Sequence, residues 1–161
     1  MVAMPDGVKL ATDLYFPADL REPLPVILIR TPYNKNGESY VAGARRFAAR
    51  GYVAAVQDVR GKFESEGDYI ISAADTNDGS DTVDWLAAQS WSNGKVGTTG
   101  CSYAGENQVE MAKRRNGHQL AMNPKPRAEH CSTSRRGGAA PLNWPLLLIG
   151  SFPTARRFGR R

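Results

Sequence analysis

Runs of apolar residues alternate with amphipathic segments along the first 115 positions of the chain. Residues 8–16 alternate between apolar and polar side chains, which predicts a half-exposed strand near a sheet edge. Residues 26–29 and 52–56 are continuous apolar runs, which are typical of strands buried on both faces. Residues 95–100 predict one more strand, which is short and rich in small side chains.

Helical periodicity fills the interval between the second and third of these strands. Residues 41–50 place Ala44, Phe47 and Ala48 on one face of a predicted helix. Gly51 follows at the stop position, where a positive φ angle costs glycine little. This stretch therefore predicts an amphipathic helix that packs against the sheet.

Two more helices complete the alternation. Asp78 or Ser80 can cap the first of them. The second is predicted over residues 103–115, with Val109 and Ala112 facing inward. Strands that alternate with helices in this order predict an α/β fold, in which helices flank a mostly parallel sheet.

The sequence changes in character after about residue 115. Residues 120–122 could form one more short strand, and residues 123–161 contain five prolines and no sustained periodicity. The net charge of +5 also divides here, because residues 1–112 sum to −5 and residues 113–161 to +10. We predict a folded region over residues 1–122. Residues 123–161 are predicted to form an irregular basic tail that is disordered or not native to the fold.

The remaining composition is that of a soluble, cytoplasmic protein. Residues 1–7 lack the basic and apolar regions of a signal peptide. The longest apolar stretch, residues 146–149, is far shorter than the roughly 20 residues of a membrane span. The two cysteines, Cys101 and Cys131, do not form a Cys-x-x-Cys pair. We predict no metal, no cofactor and no membrane partner, and the sequence does not predict an oligomeric state.

Candidate chemistry begins with Ser102, which lies between a predicted strand and a predicted helix. Gly-x-Ser-x-Gly in that context is the nucleophile elbow of serine hydrolases, in which a tight turn lifts the hydroxyl above the sheet. Here Ala104 stands in place of the last glycine, and Gly105 follows one residue late. The pattern alone also fits a serine that merely caps the following helix.

Tyr33 follows the strand of residues 26–29 by four positions. The loop after that strand supplies part of the oxyanion hole in α/β-hydrolases, and a phenol hydroxyl can donate the required hydrogen bond. Its position alone equally fits a tyrosine that only packs after Pro32.

Five ordered blocks strengthen the catalytic interpretation. The blocks are Met4-Pro5-Asp6-Gly7-Val8-Lys9-Leu10-Ala11-Thr12-Asp13, Arg30-Thr31-Pro32-Tyr33-Asn34-Lys35, Gln57-Asp58-Val59-Arg60-Gly61 with Ser65-Glu66-Gly67, the run from Asp78-Gly79 to Leu86, and Trp91-Ser92-Asn93-Gly94-Lys95-Val96-Gly97. They resemble the Xaa-Pro dipeptidyl-peptidase and cocaine esterase family of α/β-hydrolases, whose elbow reads Gly-x-Ser-Tyr-x-Gly and so accounts for the late glycine. The resemblance covers residues 4 to about 112.

The resemblance implies a partial α/β-hydrolase fold and a serine hydrolase that cleaves small esters or peptides, including dipeptides that end in proline. It implies that Ser102 is the acylated nucleophile. The hydroxyl of Tyr33 and the backbone N–H of Tyr103 would be the oxyanion donors. In the amino-acid ester hydrolase branch an acidic residue often follows the elbow tyrosine, and Ala104 weakens that assignment.

The chain does not offer an evident histidine base. The only histidines are His118 and His130, and no aspartate follows Asp84. The two nearest glutamates, Glu106 and Glu110, lie on the elbow helix itself. In this fold the acid and the histidine follow the serine, and the resemblance implies that both lie beyond residue 161. We therefore predict a truncated form. We expect this chain alone to have little esterase or peptidase activity.

Two other classes of function remain open at this stage. A non-catalytic protein could bind nucleic acid through the basic tail, although no aromatic interleaving accompanies the charge and no specific nucleic acid is expected. A nucleotide-binding domain would need Gly-x-Gly-x-x-Gly, and Gly97, Gly100 and Gly105 do not have that spacing.

Overall fold

A computed structural model describes residues 1–125 of the chain, and residues 126–161 lie outside the described part. The strands are β1 (Val2–Ala3), β2 (Lys9–Leu10), β3 (Thr12–Tyr15), β4 (Leu24–Thr31), β5 (Val53–Asp58), β6 (Ser92–Cys101) and β7 (Gln119–Lys125). The helices are α1 (Glu38–Ala48), α2 (Asp75–Ala87) and α3 (Tyr103–Ala112).

Five strands form the main sheet, in the order β3-β5-β4-β6-β7. β3 is antiparallel to β5 and lies at one edge, whereas β5, β4, β6 and β7 are mutually parallel. Parallel strands need long crossovers, and α1, α2 and α3 supply them. The predicted α/β fold with a mostly parallel sheet flanked by helices is therefore confirmed.

The predicted first strand is divided between two sheets. Its start, β2, pairs with β1 in a separate hairpin, and only β3 joins the main sheet. The interruption falls at Ala11, whose N–H donates to Ser65 Oγ at 2.8 Å rather than to a neighbouring strand. A contact between residues so distant in sequence does not show in the alternating pattern.

The central strands are buried on both faces, as their apolar runs predict. α2 and α3 cover one face of the sheet, and α1 covers the other. Each fully buried aliphatic side chain contributes on the order of 2 kcal/mol to folding, so this double cover holds the parallel strands in place. The first cluster includes Val26, Leu28, Val83, Leu86 and Met111, and the second is Ile29, Ala44, Ala54 and Val56.

The predicted cap of the second helix is wrong. α2 begins at Asp75 after Ala74, and no side chain caps it. Asp78 and Ser80 lie inside the helix and are buried. Asp78 is used elsewhere, because both of its carboxylate oxygens accept hydrogen bonds from Arg60 at 2.9 and 2.7 Å.

The predicted inward face of the third helix is also wrong at Val109, although Ala112 is half-buried. Val109 is 49% exposed, whereas Asn107 and Gln108 are 1% exposed. These two amides are buried because each finds partners there. Asn107 donates to the carbonyl of Arg30 at 2.9 Å, and Gln108 accepts from the hydroxyl of Thr98 at 3.1 Å.

The predicted boundary after residue 122 falls within β7, which runs on to Lys125. The basic tail of residues 123–161 stays a prediction, since nearly all of it lies outside the described residues. None of the helices between residues 1 and 125 has both the length and the apolar character that crossing a membrane requires.

Candidate active site

Ser102 occupies a strained turn between β6 and α3. Its φ and ψ angles are 56° and −125°, and a residue with a Cβ atom rarely adopts a positive φ. The backbone around it is fixed, because its N–H donates to the carbonyl of Lys125 at 3.1 Å and its carbonyl accepts from Gly105 at 2.7 Å and Glu106 at 2.9 Å. The Ser102 side chain makes no capping hydrogen bond to the helix, which excludes the alternative that the serine is there as a cap.

Two glycines make room for this turn. A Cβ atom on Gly100 would lie 2.3 Å from the carbonyl oxygen of Ala104, and one on Gly105 would lie 2.9 Å from that of Lys125. Both distances are too short for real contacts, so each position needs glycine. The same hypothetical Cβ on Gly100 would lie 2.6 Å from the Cβ of Ala104. An alanine is therefore tolerated after the elbow tyrosine because Gly100 leaves space for its methyl group.

Tyr33 lies in the loop that leaves β4, the strand next to β6. Because β4 and β6 are parallel neighbours, the loop with Tyr33 and the turn with Ser102 both emerge at the carboxyl ends of the strands. Tyr33 is 54% exposed, and its backbone N–H donates to Thr31 Oγ1 at 3.0 Å. The Tyr33 phenol is therefore accessible at the carboxyl ends of the strands, where Ser102 also lies.

A buried carboxylate and a buried lysine hold that loop. The N–H of Lys35 donates to Asp58 Oδ1 at 2.7 Å, and Lys35 Nζ lies 3.0 Å from carboxylate oxygens of both Asp13 and Glu64. Burial raises the pKa of Asp58, although the backbone N–H of Lys35 opposes the shift. Burial also acts to lower the pKa of Lys35, but the hydrogen bonds that its ammonium donates to the carboxylates of Asp13 and Glu64 outweigh this and leave the pKa raised.

Tyr103 is the first residue of α3, where a backbone N–H has no carbonyl one turn earlier to bind. Its side chain is anchored, since the hydroxyl donates to Asp75 Oδ2 at 2.6 Å and accepts from the N–H of Ser72 at 3.1 Å. Burial, followed by the bond to Asp75, raises the pKa of the Tyr103 phenol well above its usual value. The hydroxyl therefore stays protonated and remains a donor.

A cavity of about 590 Å³ opens on the side chain of Tyr103. Its lining includes neither Ser102 nor Tyr33, so it flanks the elbow and is not centred on the reacting hydroxyl. Arg60 and the two carboxylates that it binds, Asp6 and Asp78, form part of this lining. The residues around it are Met4, Pro5, Asp6, Val59, Arg60, Asp68, Tyr69, Ile70, Ala73, Ala74, Asp75, Asn77, Asp78, Asp81, Tyr103 and Arg114.

His118 lies at the wrong end of the sheet to serve Ser102. Its Nδ1 is 2.9 Å from the carbonyl oxygen of Gly94, near the start of β6, whereas Ser102 follows the end of that strand. At about 3.3 Å per residue the eight residues from Gly94 to Ser102 span roughly 26 Å. His130 lies outside the described residues. Between residues 1 and 125, no three His, Cys, Asp or Glu side chains are grouped as metal ligands.

The sequence did not indicate the residues that hold Tyr103 in place. Asp75 lies in none of the five blocks, and its buried partner Arg30 begins one of them but was assigned no role there. The one available signal was an arginine directly after the buried run of residues 26–29, where a charge must find a partner.

Three comparisons relate the chain to known proteins. A sequence model of the X-Pro dipeptidyl-peptidase (S15) family matches residues 6–144. Cocaine esterase from Rhodococcus sp. (strain MB1 Bresler) is 41% identical over 116 residues, which are 70% of this chain and 20% of that protein.

Two solved structures superimpose on the described part. One is an α-amino acid ester hydrolase with a TM-score of 0.71 and 35% identity, matched over 78% of this chain and 24% of its own. The other is an aminopeptidase from a marine sediment archaeon, Thaumarchaeota archaeon, with a TM-score of 0.69 and 31% identity over 77% of this chain and 24% of its own. The chain thus spans a fifth to a quarter of the length of these relatives, and its described part has the fold of one portion of an α/β-hydrolase.

Proposed function

Because the chain belongs to the X-Pro dipeptidyl-peptidase (S15) family, we propose that it carries the nucleophile and the oxyanion donors of a serine hydrolase. Ser102 would attack the carbonyl carbon of a small ester or peptide. The observation that carries this proposal is the positive φ of Ser102 at the junction of β6 and α3. Such strain persists only where the surroundings enforce it, and it is typical of sites that must present a side chain.

The proposed reaction has two steps. Ser102 Oγ forms a bond to the carbonyl carbon while a base takes its proton, and the alcohol or amine leaves with a proton after the tetrahedral intermediate collapses. Water then attacks the acyl-enzyme in the same way and releases the acid. In both steps the negative oxygen of the intermediate would accept hydrogen bonds from Tyr33 Oη and the backbone N–H of Tyr103.

The base and its orienting acid are proposed to come from polypeptide outside this chain. His118 lies beside Gly94, which is about 26 Å from Ser102 along β6, and the relatives are four to five times as long as the matched segment. A nucleophile and an oxyanion hole without the other triad members retain roughly 10³–10⁴-fold catalysis over water in serine proteases. The chain alone should therefore react with strong acylating or phosphonylating agents, but slowly.

A fluorophosphonate probe tests this assignment. We expect slow, stoichiometric modification of the chain over hours, with the adduct mapped to Ser102 by peptide mass spectrometry. Ser102→Ala should abolish it. Ser92→Ala, at the opposite end of β6, is the matched control and should label like the parent chain. Equal labelling of Ser102→Ala would remove the nucleophile assignment. Labelling within seconds would contradict the proposal that the base lies outside the chain.

A further inference from the structure

A fully buried charged side chain lies on β4, the neighbour of the strand that leads into the elbow. Arg30, near the end of β4, has a side chain that is 0% exposed. Its Nε donates to Gln57 Oε1 at 2.8 Å, and its Nη1 lies 3.1 Å from Asp75 Oδ1. Burial lowers the pKa of Arg30, and the carboxylates of Asp75 and Asp78 oppose that shift.

Asp75 connects this arginine to the elbow. One of its carboxylate oxygens accepts from Arg30 and the other accepts from the hydroxyl of Tyr103 at 2.6 Å. Asp75 is itself only 4% exposed. Water therefore competes little for either bond, and the carboxylate can fix the directions of both donors.

A second contact ties the same helix to the same strand. Asn107, one turn further along α3, donates to the backbone carbonyl of Arg30 at 2.9 Å. The first two turns of α3 are thus held to β4 at two points, through Asn107 directly and through the Arg30–Asp75–Tyr103 chain. These two points define the orientation of the helix start and not only its position.

The loop before α2 is held by the same phenol. Ser72 has a φ of 59°, which is costly for serine, and its N–H donates to Tyr103 Oη at 3.1 Å. A buried ion pair adds little net stability compared with apolar packing. The buried ion pair is better explained by a role in orienting a functional group. The group nearest to the anchored side chain is the backbone of Tyr103.

We infer that Asp75 is a positioning residue for the oxyanion hole. Arg30 holds the Asp75 carboxylate, and this carboxylate accepts a hydrogen bond from the Tyr103 hydroxyl. Asp75 thereby fixes the first turn of α3 and the direction of the Tyr103 backbone N–H. The inference rests on the proposed function, since it assigns that N–H to the oxyanion. The inference also goes beyond the proposed function. It predicts that the Tyr103 N–H becomes a weaker oxyanion donor when the hydroxyl of the Tyr103 side chain is removed.

Tyr103→Phe tests this inference with little risk to folding, because it keeps the ring and leaves Asp75 paired with Arg30. Two readouts are needed on the full chain. The first is the rate constant of Ser102 phosphonylation by the fluorophosphonate, and the second is amide hydrogen exchange. Tyr52→Phe is the matched control, since Tyr52 is a half-buried tyrosine that packs on Phe47.

We expect Tyr103→Phe to slow phosphonylation about tenfold, roughly the value of one hydrogen bond to a charged group. Exchange of the Gly105 and Glu106 amides, which bind the Ser102 carbonyl, should accelerate about tenfold relative to the amides of β5. Tyr52→Phe should change neither readout.

Two results would overturn the inference. One is an unchanged phosphonylation rate, and the other is an exchange rate that rises equally in β5 and in α3, which would indicate general destabilisation. The two proposals can be told apart, because exchange is measured without any reaction at Ser102. If the parent chain takes no label, the proposed function fails, and the exchange ratio alone still decides whether the hydrogen bonds of the Tyr103 hydroxyl hold the elbow.

Discussion

Asp75→Ala is expected to lower the free energy of unfolding by about 3–5 kcal/mol, the usual cost of leaving a buried charge without its partner. The Arg30 guanidinium would keep its bond to Gln57, but the nearest remaining carboxylate, Asp78, lies 4.0 Å away and already binds Arg60. Domains of this size are stable by about 5–15 kcal/mol, so the loss is a large fraction of the total.

Thermal unfolding followed by circular dichroism measures this effect. The melting temperature should fall by about 10 °C at neutral pH. Asp84→Ala is the matched control, because Asp84 lies on the same helix with an exposed side chain, and its loss should cost less than about 1 kcal/mol. Equal effects of the two substitutions would mean that the buried ion pair does not hold α2 against the sheet.

Tyr33→Phe is expected to slow phosphonylation of Ser102 by about 10²–10³-fold, the usual effect of losing one oxyanion-hole donor. The reason is that the phenol oxygen would be one of only two donors to the developing charge. Folding should be unaffected, because the side chain is 54% exposed and the backbone N–H that fixes the loop is kept. The rate constant should be measured at a temperature where circular dichroism shows both proteins folded.

Tyr15→Phe provides the control for Tyr33→Phe. Tyr15 is a half-buried tyrosine on β3 that packs against the cluster around α1, and it has no proposed role in the reaction. Its variant should react at the rate of the parent chain. A Tyr33→Phe variant that reacts equally fast would remove the phenol from the oxyanion hole and leave Tyr103 as the proposed donor.

Apolar periodicity was sufficient to predict the frame of the fold. The buried runs became β4 and β5, and the face that carries Ala44 and Ala48 packs on the sheet as predicted. These elements could be predicted because each signal is local, with neighbouring residues in the chain sharing one face of a helix or both faces of a strand. The turn at Ser102 was placed between β6 and α3 for the same reason.

Polar residues that are buried through distant contacts could not be predicted in this way. Asn107 turns inward because its partner is Arg30, which is 77 positions away in sequence, and Gln57 binds the same arginine from 27 positions away. Hydrophobicity assigns such residues to the surface, which is why Val109 was predicted to face the core in their place. Only the three-dimensional arrangement shows that these amides and charges bind one another.

In the proposed function the elbow presents Ser102 to two oxyanion donors at the carboxyl ends of β4 and β6. A crystal structure of the chain phosphonylated at Ser102 shows whether both donors reach the reacting group. We expect the phosphoryl oxygen to lie about 2.7–3.1 Å from both Tyr33 Oη and the backbone nitrogen of Tyr103. A phosphoryl oxygen that points into solvent, with the Tyr33 phenol turned away from it, would rule out an oxyanion hole formed by these two donors.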